Sequence, residues 1–281
     1  MSAGPAVELA AVSLGYDDAP AVSGVSIVVP AGASLALLGT NGSGKSTLLK
    51  GLIGLLEPLA GEMRVLGARP RDARPRVGYL RQQSWSGRVA PMTVRDAVRI
   101  GRFARLGWFR REGAEDRRIV DQAMTRLGID HLARRSLHEL SGGQRQRVQL
   151  AQVLAQQPDL FLLDEPFSGL DLPTQQQLLR ILAEERARGA GMVIATHELA
   201  VARDCDLVLL LRGRVVAAGP PEVVCTEDNL VAAFGLLGQA IRGPAPELLL
   251  DDRHHDRMET RPVSFGSGRA DSPGERRERR R

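Results

Sequence analysis

The sequence predicts an α/β fold with a mostly parallel core sheet, an antiparallel β-subdomain at the N-terminus and an inserted helical subdomain. Three observations carry this. Four apolar runs, at 35–38, 160–163, 192–195 and 207–211, are continuous rather than alternating, the pattern of parallel strands covered on both faces. Residues 7–14 and 25–29 instead partly alternate apolar with polar, as short antiparallel strands with one wet face do. Between the first two continuous runs, 93–102 after Pro91 and 117–127 before Gly128 have helical spacing, with no long apolar strand between them.

The 281 residues suit one domain, expected over 6–242 with its helical subdomain at about 84–157, and a tail over 243–281. That tail is rich in Arg, Asp, Glu, Ser, Pro and Gly and ends in GERRERRR. It cannot bury enough apolar surface to offset ordering entropy and is expected to be disordered. Within it, His254 and His255 lie between Asp252 and Asp256, a group read as solvated rather than metal-binding.

Hydrophobic content of 43% and charged content of 25% are ordinary for a globular protein, whereas aromatics at 4% leave little to stack on bases. A nucleic-acid partner is therefore not expected. The net charge of +5 comes almost wholly from arginine, Lys45 and Lys50 being the only lysines. From 64 to 118 the chain carries 15 Arg against 5 acidic residues, read as a solvated basic surface. Cys205 and Cys225 have no C-x-x-C spacing, which excludes a zinc knuckle or redox pair and fits a reducing compartment. No secretory leader pattern opens the chain, and no apolar run approaches the ~20 residues a membrane helix needs. Any membrane role is expected to come through partners.

Residues 39–47, GTNGSGKST, follow an apolar strand and precede the helical run LLKGLIGLL, the sequence and context of a phosphate-binding loop. Gly39, Gly42 and Gly44 let the backbone around Thr40, Asn41 and Ser43 turn its N–H groups inward, at a helix start that favours anions. Lys45 reaches the β- and γ-phosphates, Ser46 supplies a hydroxyl to Mg²⁺, and Thr47 closes the motif. Residues 160–165, LFLLDE, end an apolar strand in two carboxylates at the sheet edge where ligands bind. There Asp164 is positioned to hold Mg²⁺, and Glu165 to polarise an attacking water as general base. Just upstream, LSGGQRQR opens a helix that stops before Pro158; Ser141 is a natural N-cap, and Gly142, Gly143 and Gln144 leave amides open to a second anion.

In this order, residues 39–47, 140–144 and 160–165 resemble the Walker A, signature and Walker B motifs of ABC ATPases, over about residues 6–240. The resemblance implies a head-to-tail homodimer in which Ser141, Gly142, Gly143 and Gln144 of one subunit complete the ATP site built on Lys45 and Ser46 of the other. It also implies ATP and Mg²⁺ as cofactors, integral membrane permease subunits, an extracytoplasmic cargo-binding protein, and residence at the cytoplasmic face of the membrane. Smaller motifs align too: Asp171, closing SGLD, resembles the D-loop aspartate; His197, closing MVIATH, the switch histidine that contacts γ-phosphate; and Tyr16 the aromatic that stacks on adenine. In VGYLRQQ, Gln82 rather than Gln83 is taken from spacing as the Q-loop glutamine, a further Mg²⁺ contact, although Arg81 stands where many relatives have proline. A P-loop kinase or GTPase leaves the signature, SGLD and His197 unexplained. A non-transport ABC ATPase usually needs a second cassette, a coiled coil or zinc modules. Residues 92–111, MTVRDAVRIGRFARLGWFRR, resemble a segment of manganese, zinc and iron importer ATPases, with Trp108 and Phe109 carrying part of the likeness. That implies import of a divalent transition metal, with a siderophore or other cargo as the alternative.

Overall fold

The computed structural model describes residues 4–82, 92–106 and 111–235. Three strands, β1 (Val7–Tyr16), β2 (Ala19–Val29) and β4 (Ala60–Val65), form an antiparallel sheet in the order β2-β1-β4, where β3 (Ser34–Leu38) and α1 (Lys45–Leu52) intervene in sequence. The first two strands are longer than their alternation suggests. A bulge at Ala11, with φ at +50°, resets the register between Leu9 and Val12 and so breaks the period of two.

After the short helix α2 (Pro70–Ala73) come β5 (Val77–Leu80), α3 (Val94–Leu106), α4 (Ala114–Arg126), α5 (Gly142–Gln156), β6 (Leu160–Asp164) and α6 (Leu172–Ala187). The described chain closes with β7 (Gly191–Thr196), α7 (Leu199–Arg203), β8 (Leu207–Leu211), β9 (Val215–Gly219), α8 (Pro221–Val224) and α9 (Glu227–Phe234). The core sheet has the order β5-β6-β7-β3-β8-β9 and is parallel except for β9. All four continuous apolar runs are strands of it.

Successive residues of these strands enter opposite cores, as the pleat requires. Leu35, Leu37, Leu160, Leu162, Val193, Ala195, Leu209 and Leu211 pack with α1 and the antiparallel sheet. Their neighbours Ala36, Leu38, Phe161, Leu163, Met192, Ile194, Val208 and Leu210 pack against the helices of the other face. A strand buried on both sides has no polar phase to show, hence the unbroken runs.

The helical insertion is α3, α4 and α5. Gly101 lets α3 approach α5 closely, since a Cβ there would lie 2.1 Å from Gln152 O. At the same contact Arg102 is buried: its Nε and Nη2 donate to Asp116 Oδ1 at 3.1 and 3.0 Å, and its Nη1 to Ala155 O at 2.7 Å. Asp116 Oδ2 accepts from Gly113 N at 2.9 Å and caps α4, so one ion pair joins α3, the start of α4 and the end of α5. This explains why α4 begins three residues before the periodic stretch.

Removing one partner of a buried, hydrogen-bonded pair leaves the other charged and unsolvated, at a cost of about 3–5 kcal/mol. Arg102→Ala is expected to lower unfolding stability by that order in denaturant titration. A loss below about 1 kcal/mol would show the pair to be energetically neutral.

Candidate nucleotide-binding site

Four neighbouring strands, β5, β6, β7 and β3, end together on one edge of the core sheet. Their exits carry, in that order, Gln82, the pair Asp164–Glu165, His197 and the loop 39–44. Parallel register puts Asp164 opposite Ala195 and Leu38 opposite Thr196, so these exits lie level.

The loop enters α1 through Gly44, whose φ of +101° suits glycine and whose missing Cβ would lie 2.8 Å from Val22 Cβ and 2.9 Å from Ala21 O. Lys45 Nζ folds back onto Gly39 O at 2.7 Å and Thr40 O at 3.0 Å. Ser43 Oγ is buried without a hydrogen-bond partner, and Gly213 N, in the turn between β8 and β9, braces the loop by donating to Ser43 O at 3.0 Å. Asn41, Gly42, Ser46 and Thr47 line an open cleft of about 410 Å³ with Ala21, Gln82 and Glu165. A glycine-rich loop at a helix start, an unpaired buried hydroxyl and a lysine held on carbonyls fit a polyphosphate.

Burial pushes the Asp164 carboxyl above its ordinary range, with the nearby Ser46 hydroxyl acting in the opposite direction. Asp164 Oδ1 remains buried without a hydrogen-bond partner. A hydroxyl and a carboxylate brought together, with one oxygen left over, form a hard-donor set that fits Mg²⁺.

Glu165 leaves β6 with φ at +49°, a left-handed conformation costing about 1–2 kcal/mol in a non-glycine residue. Its N–H donates to Ala195 O at 3.0 Å, which holds it there. Oε2 accepts from Gln82 Nε2 at 2.8 Å, and His197 Nδ1 stands 3.5 Å from Oε1, a loose ionic contact rather than a tight hydrogen bond. His197, then Lys45 and Gln82, hold the Glu165 carboxyl below its usual range against the effect of burial; Glu165 in turn raises His197 above its own.

Ser141 caps α5: its Oγ accepts from Gln144 N at 3.3 Å, and Gln144 Oε1 accepts from Ser141 N at 3.0 Å. Gly142 and Gly143 face a cleft shared with Gln82, Asp164, Glu165 and Ser168, whereas Ser141, Gly143 and Gln144 line another with Arg147 and Asp171. Asp171 itself caps α6, accepting from Thr174 N at 3.0 Å. Neither of those two clefts contains Lys45. Tyr16 is exposed beside α1 rather than packed in the β-layer, with its hydroxyl bonded to Lys50.

Gln83, Trp108, Phe109, His254, His255 and the segment 243–281 lie outside the described residues. Sequence reasoning missed Gln146, whose Nε2 donates to Pro166 O at 2.8 Å and ties α5 to the exit of β6, and it missed the Gly213 brace. Only the position of Gln146, two residues past the signature, offered a signal.

The ABC transporter family model matches residues 22–168. The chain belongs to this family. Among its relatives, the manganese transport system ATP-binding protein MntB of Bacillus subtilis is 37% identical over 82% of this chain and 92% of its own length. The zinc transport system ATP-binding protein TroB of Treponema pallidum is 39% identical over 82% and 87%. Among solved structures, an ATP-binding subunit of an ABC transporter superposes with a TM-score of 0.69 at 30% identity, over 82% of this chain and 93% of that one. The protein is thus an ABC ATPase, an enzyme that binds ATP. Among the described residues no helix is long and apolar enough to cross a membrane.

The contact between Glu165 and His197 sets a pH window. A histidine raised in the folded state keeps its proton until pH climbs through that raised value, and a glutamate lowered in the folded state keeps its charge until pH falls through the lowered one. The pair therefore persists between the two and dissolves on either side. In nucleotide-free protein, NMR titration of His197 is expected to give a midpoint above the ordinary 6.5, moving down in Glu165→Gln. An unchanged midpoint in that variant would remove Glu165 as the cause.

Proposed function

We propose that this ABC ATPase powers import of a divalent transition metal of the manganese, zinc and iron group, as a homodimer bound to membrane permease subunits at the cytoplasmic face. An extracytoplasmic protein would deliver the cargo. The ATPase domain is read as 6–242, with 243–281 as a tail beyond it. The observation that carries the catalytic reading is the placement of Glu165 between Gln82 and His197 on the edge that also holds Lys45 and Ser46. The cargo reading rests on the likeness of residues 92–111 to metal-importer ATPases and on relatives named for manganese and zinc transport.

In this reading the amides of Gly39, Thr40, Asn41, Gly42, Ser43, Gly44 and Thr47 and the ammonium of Lys45 hold the β- and γ-phosphates of ATP. Ser46, Asp164 and Gln82 hold Mg²⁺, directly or through water, which when bound neutralises charge on the phosphate oxygens. Glu165 takes a proton from water as its oxygen meets the γ-phosphorus and the bond to ADP breaks. Oε2 already accepts from Gln82, whereas Oε1, in only loose contact with His197, keeps lone pairs that can take the proton of the water. The open N-terminus of α5, with Ser141, Gly142, Gly143 and Gln144, completes the site across the dimer, Asp171 lies at the same junction, and Tyr16 stacks on the adenine.

Glu165→Gln keeps the shape and the amide-compatible contacts but loses the base. Turnover is expected to fall by about a hundredfold or more while ATP binding persists and a dimer accumulates on sizing columns; undiminished hydrolysis excludes Glu165 as base. For cargo, manganese, zinc and iron are to be measured together in cells lacking the gene, with wild type and Glu165→Gln restored in turn. Loss of one metal, rescued by wild type alone, is the expected result. Unchanged levels of all three would overturn the cargo reading and leave the ATPase reading intact.

A further inference from the structure

In a chain that uses arginine for every other cation, both lysines fall on α1, five residues apart. Lys45 is explained by the phosphate loop. Lys50 lies in the last turn of the helix, where its Nζ donates to the Tyr16 hydroxyl at 2.9 Å and stands 5.4 Å from the ring centre. Taken together, those two distances place the ammonium out beyond the hydroxyl, close to the direction of the C–O bond. It does not lie over the ring, and the faces of Tyr16 are left clear of it.

The backbone of Tyr16 is equally constrained. It is the last residue of β1, paired with Ala19 across the two-residue turn Asp17–Asp18, whose φ values are both positive at +47° and +61°. Such turns match the twist of the strands they join and hold the hairpin in register. Strand β2 then runs directly to Ala21 and Val22, which touch Gly44 of the phosphate loop. A rigid hairpin and a fixed ring edge therefore hold an aromatic that remains 47% exposed against α1, the helix that the phosphate loop opens.

The choice of lysine has a chemical reason. A guanidinium is planar and stacks flat on aromatic faces, whereas an ammonium is a compact point donor, and here it is spent on the Tyr16 hydroxyl. An arginine at position 50 would compete with a purine for the ring. We propose that Lys50 is a positioning residue for the nucleotide base: it anchors the hydroxyl edge of Tyr16 so that the ring presents an open face to adenine, and its being lysine keeps that face free. This rests on the reading of Tyr16 as the base platform. The alternative is that Lys50 serves only as a cation at the C-terminus of α1.

Equilibrium binding of ATP and GTP to the full chain separates these cases, using Tyr16→Leu, Tyr16→Phe, Lys50→Met, Lys50→Arg and the double variant Lys50→Met/Tyr16→Phe. Lys50→Met and Lys50→Arg are each expected to weaken ATP binding about threefold or more and to narrow the ratio of ATP to GTP affinity. The effect of Lys50→Met should vanish in the Tyr16→Phe background, where the hydroxyl is already gone. Wild-type binding by Lys50→Arg, which keeps the helix-end charge, would overturn the proposal, as would a Lys50→Met effect of equal size in the Tyr16→Phe background. If Tyr16→Leu binds ATP like wild type, the platform reading itself fails. If Tyr16→Leu is impaired while both Lys50 variants bind normally, only the role of Lys50 falls.

Discussion

The structure depends on the level termination of four parallel strands. Because β5, β6, β7 and β3 are adjacent and in register, residues from positions 39, 82, 165 and 197 arrive on one edge without any of them being near another in sequence. Burial on both faces is what enforces the register. A one-residue slip of β6 would exchange Leu160 and Leu162 with Phe161 and Leu163 between two packed cores and carry Asp164 out of its register with Ala195. The level edge is thus a consequence of core packing, and its precision is inherited from strands that carry no chemistry.

At that edge the electrostatics are arranged around one carboxylate. Asp164 is buried and pushed up; Glu165, one residue on, is pulled down by His197, Lys45 and Gln82. Two adjacent acids thereby acquire different characters from their surroundings alone. The left-handed turn at Glu165 separates their directions: Asp164 stays in the strand and faces Ser46, while Glu165 turns out toward Gln82 and His197. The strain of that turn is held by the bond from Glu165 N to Ala195 O, another gift of the neighbouring strand.

Much of this was legible in the sequence, and for a physical reason. Doubly buried strands and a glycine-rich loop before a helix leave strong local signals, so β3, β6, β7, β8 and the loop 39–47 could be read directly. Elements stabilised by distant partners could not. Strand β4, with Gly61 and charged Glu62 and Arg64, looks like a loop until β1 pairs with it, and the half-buried edge strand β9 has no core face of its own. Likewise, nothing local to Arg102 distinguishes it from the solvated arginines around it. Its burial comes from Asp116, 14 residues away, and Ala155, 53 residues away. The expectation of a uniformly solvated basic stretch over 64–118 fails at that residue.

Arg102 also connects the helical insertion to the site. Helix α5 is gripped at its C-terminal end by Arg102 through Ala155 O, and close to its N-terminal end by Gln146, which reaches Pro166 O immediately after Glu165. Between these grips it packs closely on α3 over Gly101. A helix held at both ends moves as a unit with whatever holds it, since packed helices shift as rigid bodies rather than bend. Through α5, helix α3 is therefore linked to two places at once: the capped N-terminus at Ser141 and the peptide that follows Glu165. The capped helix start and the surroundings of the carboxylate therefore share one support, which joins the helical insertion to the sheet edge by direct contacts.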